Sequence, residues 1–249
     1  MSADNRAAWN AISSEYQSSH RIPTDDAHYG PRAPPERELR LVGDVAGKRL
    51  LEIGCGGGQC AIAFAKRGAI AAGKDLSEEQ LAFARALAAR EGVRVSFYHG
   101  TVEDLSEFGS ASQDIVFSAW ALPYVEDLAR CFREVYRVLT SHGLFVFSLG
   151  HPVSYMMSQR GPPWVVERGY WAGAHEWHWD DDPSKPRFRE FSRTVGETFQ
   201  LLRDAGFLVD RILEPPPLEH AVDSWDESYP MERQKLVPTT IIFRAVKPG

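Results

Sequence analysis

A run of glycines follows an acidic residue near position 50, and its composition suits the binding of a charged ligand. The segment reads Leu50-Leu51-Glu52-Ile53-Gly54-Cys55-Gly56-Gly57-Gly58. Glycine is needed where a side chain would strike an approaching ligand or where the backbone requires a positive φ. A helix that begins after such a turn directs free N–H groups and the positive end of its dipole toward a carboxylate or phosphate. The segment therefore predicts a strand, a tight ligand-binding turn and a helix, although a purely structural turn is an alternative.

The spacing of these glycines separates two kinds of nucleotide site. A dinucleotide-binding loop has the pattern G-x-G-x-x-G after a strand. Counted from Gly54, this chain has Gly56 but places Gln59 where the third glycine should stand. The observed pattern is E-x-G-x-G-x-G, beginning at Glu52. A nicotinamide-dependent oxidoreductase is thus an alternative that Gln59 argues against.

A second acidic residue, Asp75, lies at the end of the next predicted strand, about twenty residues beyond the glycines. A carboxylate at this position can accept hydrogen bonds from both hydroxyls of a ribose. Charge-assisted hydrogen bonds of this kind each contribute roughly 1.5–3 kcal/mol. Together, the glycine turn and Asp75 predict a ligand that contains adenosine. The structural alternative is that the Asp75 carboxylate caps a helix.

Four segments in this order resemble the successive motifs of class I S-adenosylmethionine (SAM)-dependent methyltransferases, in particular the ubiquinone/menaquinone type. They are Gly54–Gly58, Gly73–Ser77, Gly100–Leu105 and Asp114–Ser118. The similarity covers about Lys48 to Leu149. It implies a SAM cofactor that leaves as S-adenosylhomocysteine (SAH) and a methyl group transferred by in-line displacement to an O, N or C atom of a small molecule. A protein that binds SAM without catalysis is a further alternative.

The resemblance also implies a set of cofactor-binding residues. They are Tyr16, Tyr29, Gly54, Cys55, Gly56, Gln59, Asp75, Leu76, Gln80, Thr101, Val102, Glu103 and Ser118. The glycine turn and Ser118 would lie against the methionine part, with Asp75 on the ribose and Leu76 against the adenine. Residues 101–103 would surround the polar edge of the adenine, with Val102 contributing its backbone N–H. The chain departs from the family at Thr101, where an Asp is usual, and at Lys74, where an apolar residue is usual.

A histidine is the best candidate for the base that an oxygen or nitrogen acceptor would need. His151 follows the predicted fifth strand, at the edge of the sheet where ligands bind, and we expect it to be the catalytic base. Other candidates with possible structural roles are His20, His28, His175 and His178. A metal site at His175, His178 and Asp180–Asp182 is less favoured, because a spacing of three suits a helix better than the strand expected there. We therefore predict no metal.

These residues need a parallel sheet to position them, and the pattern of strands and helices predicts one. Strands are expected at 49–53, 69–74, 93–98, 114–118, 144–149, 207–213 and 239–246, and helices at 7–15, 59–67, 77–90, 125–139 and 195–204. Ser77 and Gln80 form a capping-box pattern at the start of one helix. Alternating strands and helices predict an α/β, Rossmann-like doubly wound fold with a mostly parallel seven-stranded sheet and an antiparallel last strand. Right-handed crossovers bring the carboxyl ends of the strands to one edge.

We expect a single domain over residues 1–249. It divides into an N-terminal helical lid segment (1–40), a SAM-binding core (41–150), an insert on the substrate side (151–192) and a C-terminal helix with closing strands (193–249). The insert is rich in aromatic residues, and Glu176–Trp179 alternates as a strand would. With the N-terminal segment, it predicts a lid over the acceptor. A small satellite core is the alternative.

Composition narrows the classes of partner. The formal net charge is −6 and the sequence pI is about 5.8, whereas binding of nucleic acid usually requires a basic face. We therefore expect a small-molecule acceptor and no nucleic acid. The three cysteines lack zinc-ligand spacing, which favours packing in a reducing compartment over a nucleophilic Cys55. Since no apolar run is long enough to cross a bilayer and the N-terminus is polar, we expect a cytoplasmic protein. The sequence does not predict the oligomeric state.

Overall fold

A twisted central sheet organises the structure, a computed structural model that describes residues 3–158, 161–220 and 229–249. The strands are β1 (Arg49–Ile53), β2 (Ile70–Asp75), β3 (Val95–His99), β4 (Gln113–Ala119), β5 (Leu139–Gly150), β6 (Ala174–His178), β7 (Arg187–Phe191), β8 (Leu208–Leu213) and β9 (Thr240–Val246). The helices are α1 (Ala3–Ser19), α2 (Glu36–Leu39), α3 (Gln59–Lys66), α4 (Glu78–Arg90), α5 (Leu128–Val138), α6 (Pro152–Met156), α7 (Val195–Asp204) and α8 (Met231–Gln234).

Seven strands form the main sheet, in the order β3-β2-β1-β4-β5-β9-β8. Neighbouring strands from β3 to β5 are parallel, and β9 runs antiparallel to both β5 and β8. The predicted doubly wound, mostly parallel seven-stranded sheet with an antiparallel last strand is confirmed. Strands β6 and β7 form a separate antiparallel hairpin.

The chain changes direction across the sheet between β1 and β4. After β1 it builds β2 and β3 on one side, and it then returns to place β4 on the other side of β1. Loops that leave the carboxyl ends of two such strands diverge and open a crevice for ligands. The turn after β1 contains Gly54, and the loop after β4 contains Ala121. The topology therefore brings the predicted glycine turn to the switch point.

Apolar residues cover both faces of this sheet, as a parallel sheet requires. Successive residues of β1 alternate between faces, so that Leu51 packs in the cluster containing Val135 of α5, while Leu50 packs in the cluster containing Phe64 of α3. The burial of both faces fixes the strand ends from which the turn residues project.

The start of α4 corrects one detail of the predicted capping box. Ser77 Oγ accepts a hydrogen bond from the Gln80 backbone N–H at 3.1 Å, as expected for an N-cap. The Gln80 side chain does not reach back, because its Oε1 accepts a hydrogen bond from Gln17 of α1. A reciprocal capping box is present instead at α7, between Thr194 and Glu197.

The insert is more regular than the sequence predicts. The strand expected at Glu176–Trp179 lies at β6, and β7, for which no strand was expected, pairs with it. Trp179 and Phe188 of this hairpin pack against Ala8 and Ile12 of α1. Contacts between distant parts of the chain thus order a segment whose local signals are weak. No helix in the described ranges has the length and apolar character needed to span a bilayer.

Candidate functional site

A cavity of about 490 Å³ opens at the switch point of the sheet. One end is lined by the glycine turn after β1, and the loop after β4 also contributes to its wall. The other end is lined by Tyr155 and Glu190 of the insert and by Tyr124 of a 3₁₀ turn at Leu122–Tyr124. Helix α1 contributes Tyr16 and Gln17. The cavity therefore joins the N-terminal segment, the core and the insert.

Close packing explains the glycine at the start of the turn. Gly54 has a φ of 66°, which side-chain-bearing residues rarely adopt, and a Cβ added there would lie 2.2 Å from Ala121 Cβ. The backbone N–H groups of Gly54 and Cys55 both donate to the Lys74 carbonyl oxygen, at 2.8 and 3.1 Å. These contacts fix the turn against the ends of β2 and β4.

Asp75 is tied to the glycine turn by its carboxylate. Oδ2 accepts a hydrogen bond from the Gly56 N–H at 2.8 Å, and Oδ1 accepts one from the Ser77 N–H at 2.9 Å. Burial raises the pKa of Asp75, and the backbone hydrogen bonds from Ser77 and Gly56 oppose that shift. The carboxylate lines the cavity and is 8% exposed. Both capping and ligand binding are thus open to it.

Three buried glutamines connect α1 to the cavity floor. Gln59 Nε2 donates to Gln17 Oε1 at 2.8 Å, and Gln17 Nε2 donates to Gln80 Oε1 at 2.7 Å. Gln80 Nε2 is buried and has no hydrogen-bond partner among the described residues. The sequence predicted Gln59 and Gln80 as cofactor-binding residues but missed Gln17, because nothing local distinguishes it from an ordinary polar residue of an exposed helix.

Glu52, the acid of the glycine motif, is buried beneath the turn. Its Oε2 accepts a hydrogen bond from the Ala61 N–H of α3 at 2.7 Å. Burial raises the pKa of Glu52 to about 8, against the effect of that hydrogen bond. The side chain therefore holds the strand and the following helix together and also lines the cavity.

Most of the predicted cofactor-binding residues lie on this cavity. Those that line it are Tyr16, Gly54, Cys55, Gly56, Gln59, Asp75, Leu76 and Gln80. Those outside its lining are Tyr29, Thr101, Val102, Glu103 and Ser118. The first group comes from the ends of β1 and β2, from the helices that follow them and from α1, whereas the second comes from later loops and from the core.

The side chains of Tyr29 and Val102 lie in the core, which leaves no support for the expected contact of Tyr29 with a cofactor but does not bear on the Val102 backbone N–H expected at the adenine. Tyr29 is fully buried, donates a hydrogen bond to Glu36 Oε2 at 2.6 Å and packs against Phe117. Val102 is also fully buried in the cluster around α5. In sequence, an aromatic residue of a predicted lid segment looks the same as a core residue. The pattern therefore could not show whether Tyr29 contacts a cofactor or packs in the core.

The position of His151 does not support the expected catalytic base. Its Nδ1 accepts a hydrogen bond from the Val153 N–H at 3.1 Å and caps α6, while Nε2 lies 2.9 Å from Glu214 Oε1. The ring is 4% exposed and does not line the cavity. His151 does follow the fifth strand, as expected. Helix α6 begins at the next residue, Pro152, and the His151 imidazole caps that helix.

Other histidines line the cavity, namely His20, His28 and His175. Burial lowers the pKa of His28 to about 4 and that of His175 to about 4. Both rings are therefore neutral near pH 7. His178 lies three residues after His175 on β6, which places the two side chains on opposite faces of the strand. In the parts of the chain that the structure describes, no group of three His, Cys, Asp or Glu residues is arranged to hold a metal.

The aromatic insert is both a packing element and a wall of the cavity. Trp9 of α1 contacts Tyr16, Tyr124 and Phe188 with ring centroids 5.0–5.4 Å apart. Several rings of this cluster, including that of Trp177, also line the cavity. The cluster therefore forms the satellite core that the sequence left open and contributes rings to the cavity wall, while the lid over the acceptor stays a prediction.

Lys74 has a structural explanation that the sequence did not provide. The side chain is almost fully buried, and Nζ donates to Glu107 Oε1 and Oε2 at 2.8 and 2.7 Å. It also donates to the Asp104 carbonyl oxygen. The ammonium group therefore fixes the loop after β3 to the end of β2.

The cysteines are buried and free. Burial raises the pKa of the Cys55 and Cys60 thiols well above the ordinary value. A thiol with a raised pKa carries little thiolate near pH 7 and is a poor nucleophile. The geometry therefore favours the packing role for Cys55, although its side chain lines the cavity.

The chain is similar to known proteins over its central part. The family described as a methyltransferase domain matches residues 51–147. A curated relative, the ubiquinone biosynthesis O-methyltransferase of Ruegeria pomeroyi, is 34% identical over 173 residues, which are 69% of this chain and 64% of the relative. A protein of the same name from another Ruegeria strain is 34% identical over 144 residues, 57% of this chain and 58% of that relative. The alignments thus span about three fifths of these two relatives.

The similarity to solved structures extends over most of the chain. An S-adenosylmethionine-dependent methyltransferase from Mesorhizobium loti superposes with a TM-score of 0.66 and is 30% identical. The superposition covers 84% of this chain and 96% of that protein. Most of the fold of this chain therefore has a counterpart in that protein.

Proposed function

The chain belongs to the family of SAM-dependent methyltransferases, and from that membership we propose that it binds SAM and transfers its methyl group to a small-molecule acceptor. The observation that carries the proposal is the hydrogen bond between Asp75 and the Gly56 N–H. It places a carboxylate beside the glycine turn, within a cavity large enough for a nucleoside and part of a second molecule.

The remaining hydrogen-bonding capacity of Asp75 supports the ribose role. An ionised carboxylate can accept about four hydrogen bonds, and the Gly56 and Ser77 N–H groups use two of them. The other positions suit the two hydroxyls of a ribose. Leu76, which also lines the cavity, would pack against the adenine.

The opposite end of the cofactor would lie against the glycine turn. Helix α3 begins after Gly58 and directs its N-terminal dipole toward the cavity, which favours the carboxylate of the methionine part. Gln80 Nε2, buried without a partner among the described residues, provides an additional donor. Gln17 covers Gly57 so closely that a Cβ there would lie 2.5 Å from its Nε2.

When bound, SAM supplies an electrophilic methyl group on a positively charged sulfur. The contribution of the chain is to align the acceptor with that carbon and to exclude water. Alignment of two reactants alone can be worth roughly 7–11 kcal/mol. The rings of Tyr16, Tyr124 and Trp177 enclose the cavity above the turn. Their faces can stabilise a sulfonium by cation–π contact.

Titration calorimetry tests the proposal against its alternatives. We expect SAM and SAH to bind with one site per chain and NAD to produce no heat of binding, since Gln59 replaces the third glycine of a dinucleotide loop. Tight binding of NAD instead of SAM would favour the oxidoreductase. Release of SAH with a metabolite library then separates a methyltransferase from a protein that only binds SAM.

A further inference from the structure

Glu190 is a buried acid at the insert end of the cavity. It lies on β7, is 6% exposed and lines the cavity. Oε1 accepts a hydrogen bond from Trp177 Nε1 at 3.0 Å. Oε2 lies 3.5 Å from His175 Nε2 and accepts no hydrogen bond of ordinary geometry from the described residues, while burial raises the pKa of the carboxylate and the nearby Tyr124 and Tyr155 hydroxyls oppose that rise. Because leaving a buried carboxylate oxygen without a partner is costly, a ligand is expected to satisfy it.

The surroundings of Glu190 are aromatic. The side chains of Tyr124, Tyr155, Trp177 and Tyr229 line the same cavity. Burial raises the pKa of the Tyr124, Tyr155 and Tyr229 hydroxyls, and the negative charge of Glu190 raises it further. A carboxylate among aromatic faces is the arrangement by which proteins hold organic ammonium groups, through an ion pair and cation–π contacts.

The charge of the lining has the same sign as Glu190. Besides Glu190, the acidic residues that line the cavity are Asp75, Glu167, Asp180 and Asp181, together with Glu52, whose pKa of about 8 leaves it mostly uncharged near pH 7. Among the described lining residues, Arg168 is the only lysine or arginine; it is exposed, and its positive charge opposes the rise that burial produces in the pKa of Glu190. Since His28 and His175 have pKa values of about 4, they add no positive charge near pH 7. Such a cavity attracts cations and disfavours an anionic acceptor.

We propose that the methyl acceptor is a small organic amine, whose ammonium group is received by Glu190 Oε2 and whose body lies between the aromatic side chains. This inference rests on the proposed function, because it specifies the second reactant of the same cavity. An amine acceptor also distinguishes this cavity from one that receives a phenol or a carboxylic acid. Those acceptors would gain no ion pair with Glu190, and the acid would be repelled.

Methyl transfer to an ammonium group first requires the loss of one proton, and Glu190 is the proton acceptor. The ammonium gives one proton to Oε2, which leaves a neutral amine with a lone pair. That lone pair forms the new N–C bond while the C–S bond breaks, and its electrons remain on sulfur to give SAH. The product is an N-methylammonium ion. Burial raises the pKa of Glu190, with hydrogen bonding from Tyr124 and Trp177 opposing, and a higher pKa makes its carboxylate a better proton acceptor.

Three probes of one shape test the inference: benzylamine, benzyl alcohol and benzoate. Their dissociation constants are measured by calorimetry on the full chain saturated with SAH at pH 7. We expect benzylammonium to bind at least tenfold more tightly than benzyl alcohol, and benzoate to bind most weakly. Equal binding of amine and alcohol, or tighter binding of benzoate, would overturn the inference without the use of any variant.

A matched pair of variants locates the preference. Glu190→Gln keeps an acceptor for Trp177 and should reduce the amine-to-alcohol preference to less than threefold. Glu176→Gln removes the same charge from the same hairpin, but Glu176 is exposed and outside the cavity lining, so the preference should remain. A preference retained in Glu190→Gln would contradict the assignment. Failure of SAH itself to bind would reject the proposed function, whereas SAH binding without amine preference rejects only this inference.

Discussion

The side chain of Gln59 donates a hydrogen bond to Gln17 Oε1 over 2.8 Å. This bond joins the helix that follows the glycine turn to the N-terminal helix, 42 positions earlier in the chain. Gln17 in turn donates to Gln80, so that one short network connects α1, α3 and α4 at the cavity. The N-terminal segment is therefore a wall of the site, held by amide groups that a bound cofactor can also contact.

Substitution of Gln17 by Ala should loosen this wall. We expect the dissociation constant for SAH to rise about three- to tenfold, because hydrogen bonds of this kind contribute about 1 kcal/mol each. Calorimetry gives the affinity. Ser14→Ala is the matched control, since Ser14 is an exposed residue of the same helix. Unchanged affinity in Gln17→Ala would show that the network has no part in ligand binding.

Substitution of Asp75 by Ala should weaken SAM binding at least tenfold, since the two ribose hydroxyls lose a charged acceptor. Asp44→Ala is a suitable control, because Asp44 also accepts a backbone hydrogen bond, from Ala46, but is exposed and outside the cavity. A thermal melt of both variants checks that the fold persists. Full affinity in the folded Asp75→Ala variant would reject the ribose role.

Glu52 should make the stability of the free protein depend on pH. Its pKa is about 8 in the folded state and near 4.5 when unfolded, so the folded state binds the proton more tightly. The stabilising effect is fully present below pH 4.5 and is lost as the pH rises toward 8.

The measurement is the free energy of unfolding at pH 5.5 and 8.5 for the wild type and Glu52→Gln. The difference between the two proteins should shift by about 3 kcal/mol in favour of the variant at the higher pH. Glu38→Gln, at an exposed position, should follow the wild type. The same change in the free energy of unfolding between pH 5.5 and 8.5 for Glu52→Gln and the wild type would contradict the prediction.

Substitution of Lys74 by Met should lower the free energy of unfolding by about 1–3 kcal/mol, because a buried hydrogen-bonded charge is removed and Glu107 loses its partner. Urea denaturation measures the effect. Lys48→Met removes the same charge from an exposed site and should change stability by less than about 0.5 kcal/mol. Equal effects of the two substitutions would show that the Lys74–Glu107 pair contributes little.

Much of the fold could be predicted because its signals are local. The apolar run of β1 and the glycines after it predicted that strand with the observed bounds, and the helix at Val195–Asp204 is likewise as expected. β7 and the early start of β5 at Leu139 were missed. The first depends on pairing with β6 and packing on α1, and the second on a single pairing with Gln113 beyond a register shift.

The part of the candidate site that lies at strand ends and turns was predictable from the sequence. Asp75 and Gly54–Gly56 follow from strand ends and turns, and the structure brings them together. Gln17 and Glu190 were missed because their roles depend on long-range contacts, with Gln59 and Trp177 respectively. His151 was misassigned because a histidine after a strand can equally cap the next helix.

The most direct test of the account is a crystal structure of the chain grown with saturating SAH. We predict density across the turn at Gly54–Gly58, with both ribose hydroxyls on the Asp75 carboxylate and the adenine beside Leu76. A cleft that stays empty at saturating SAH, or SAH bound elsewhere on the chain, would contradict the account.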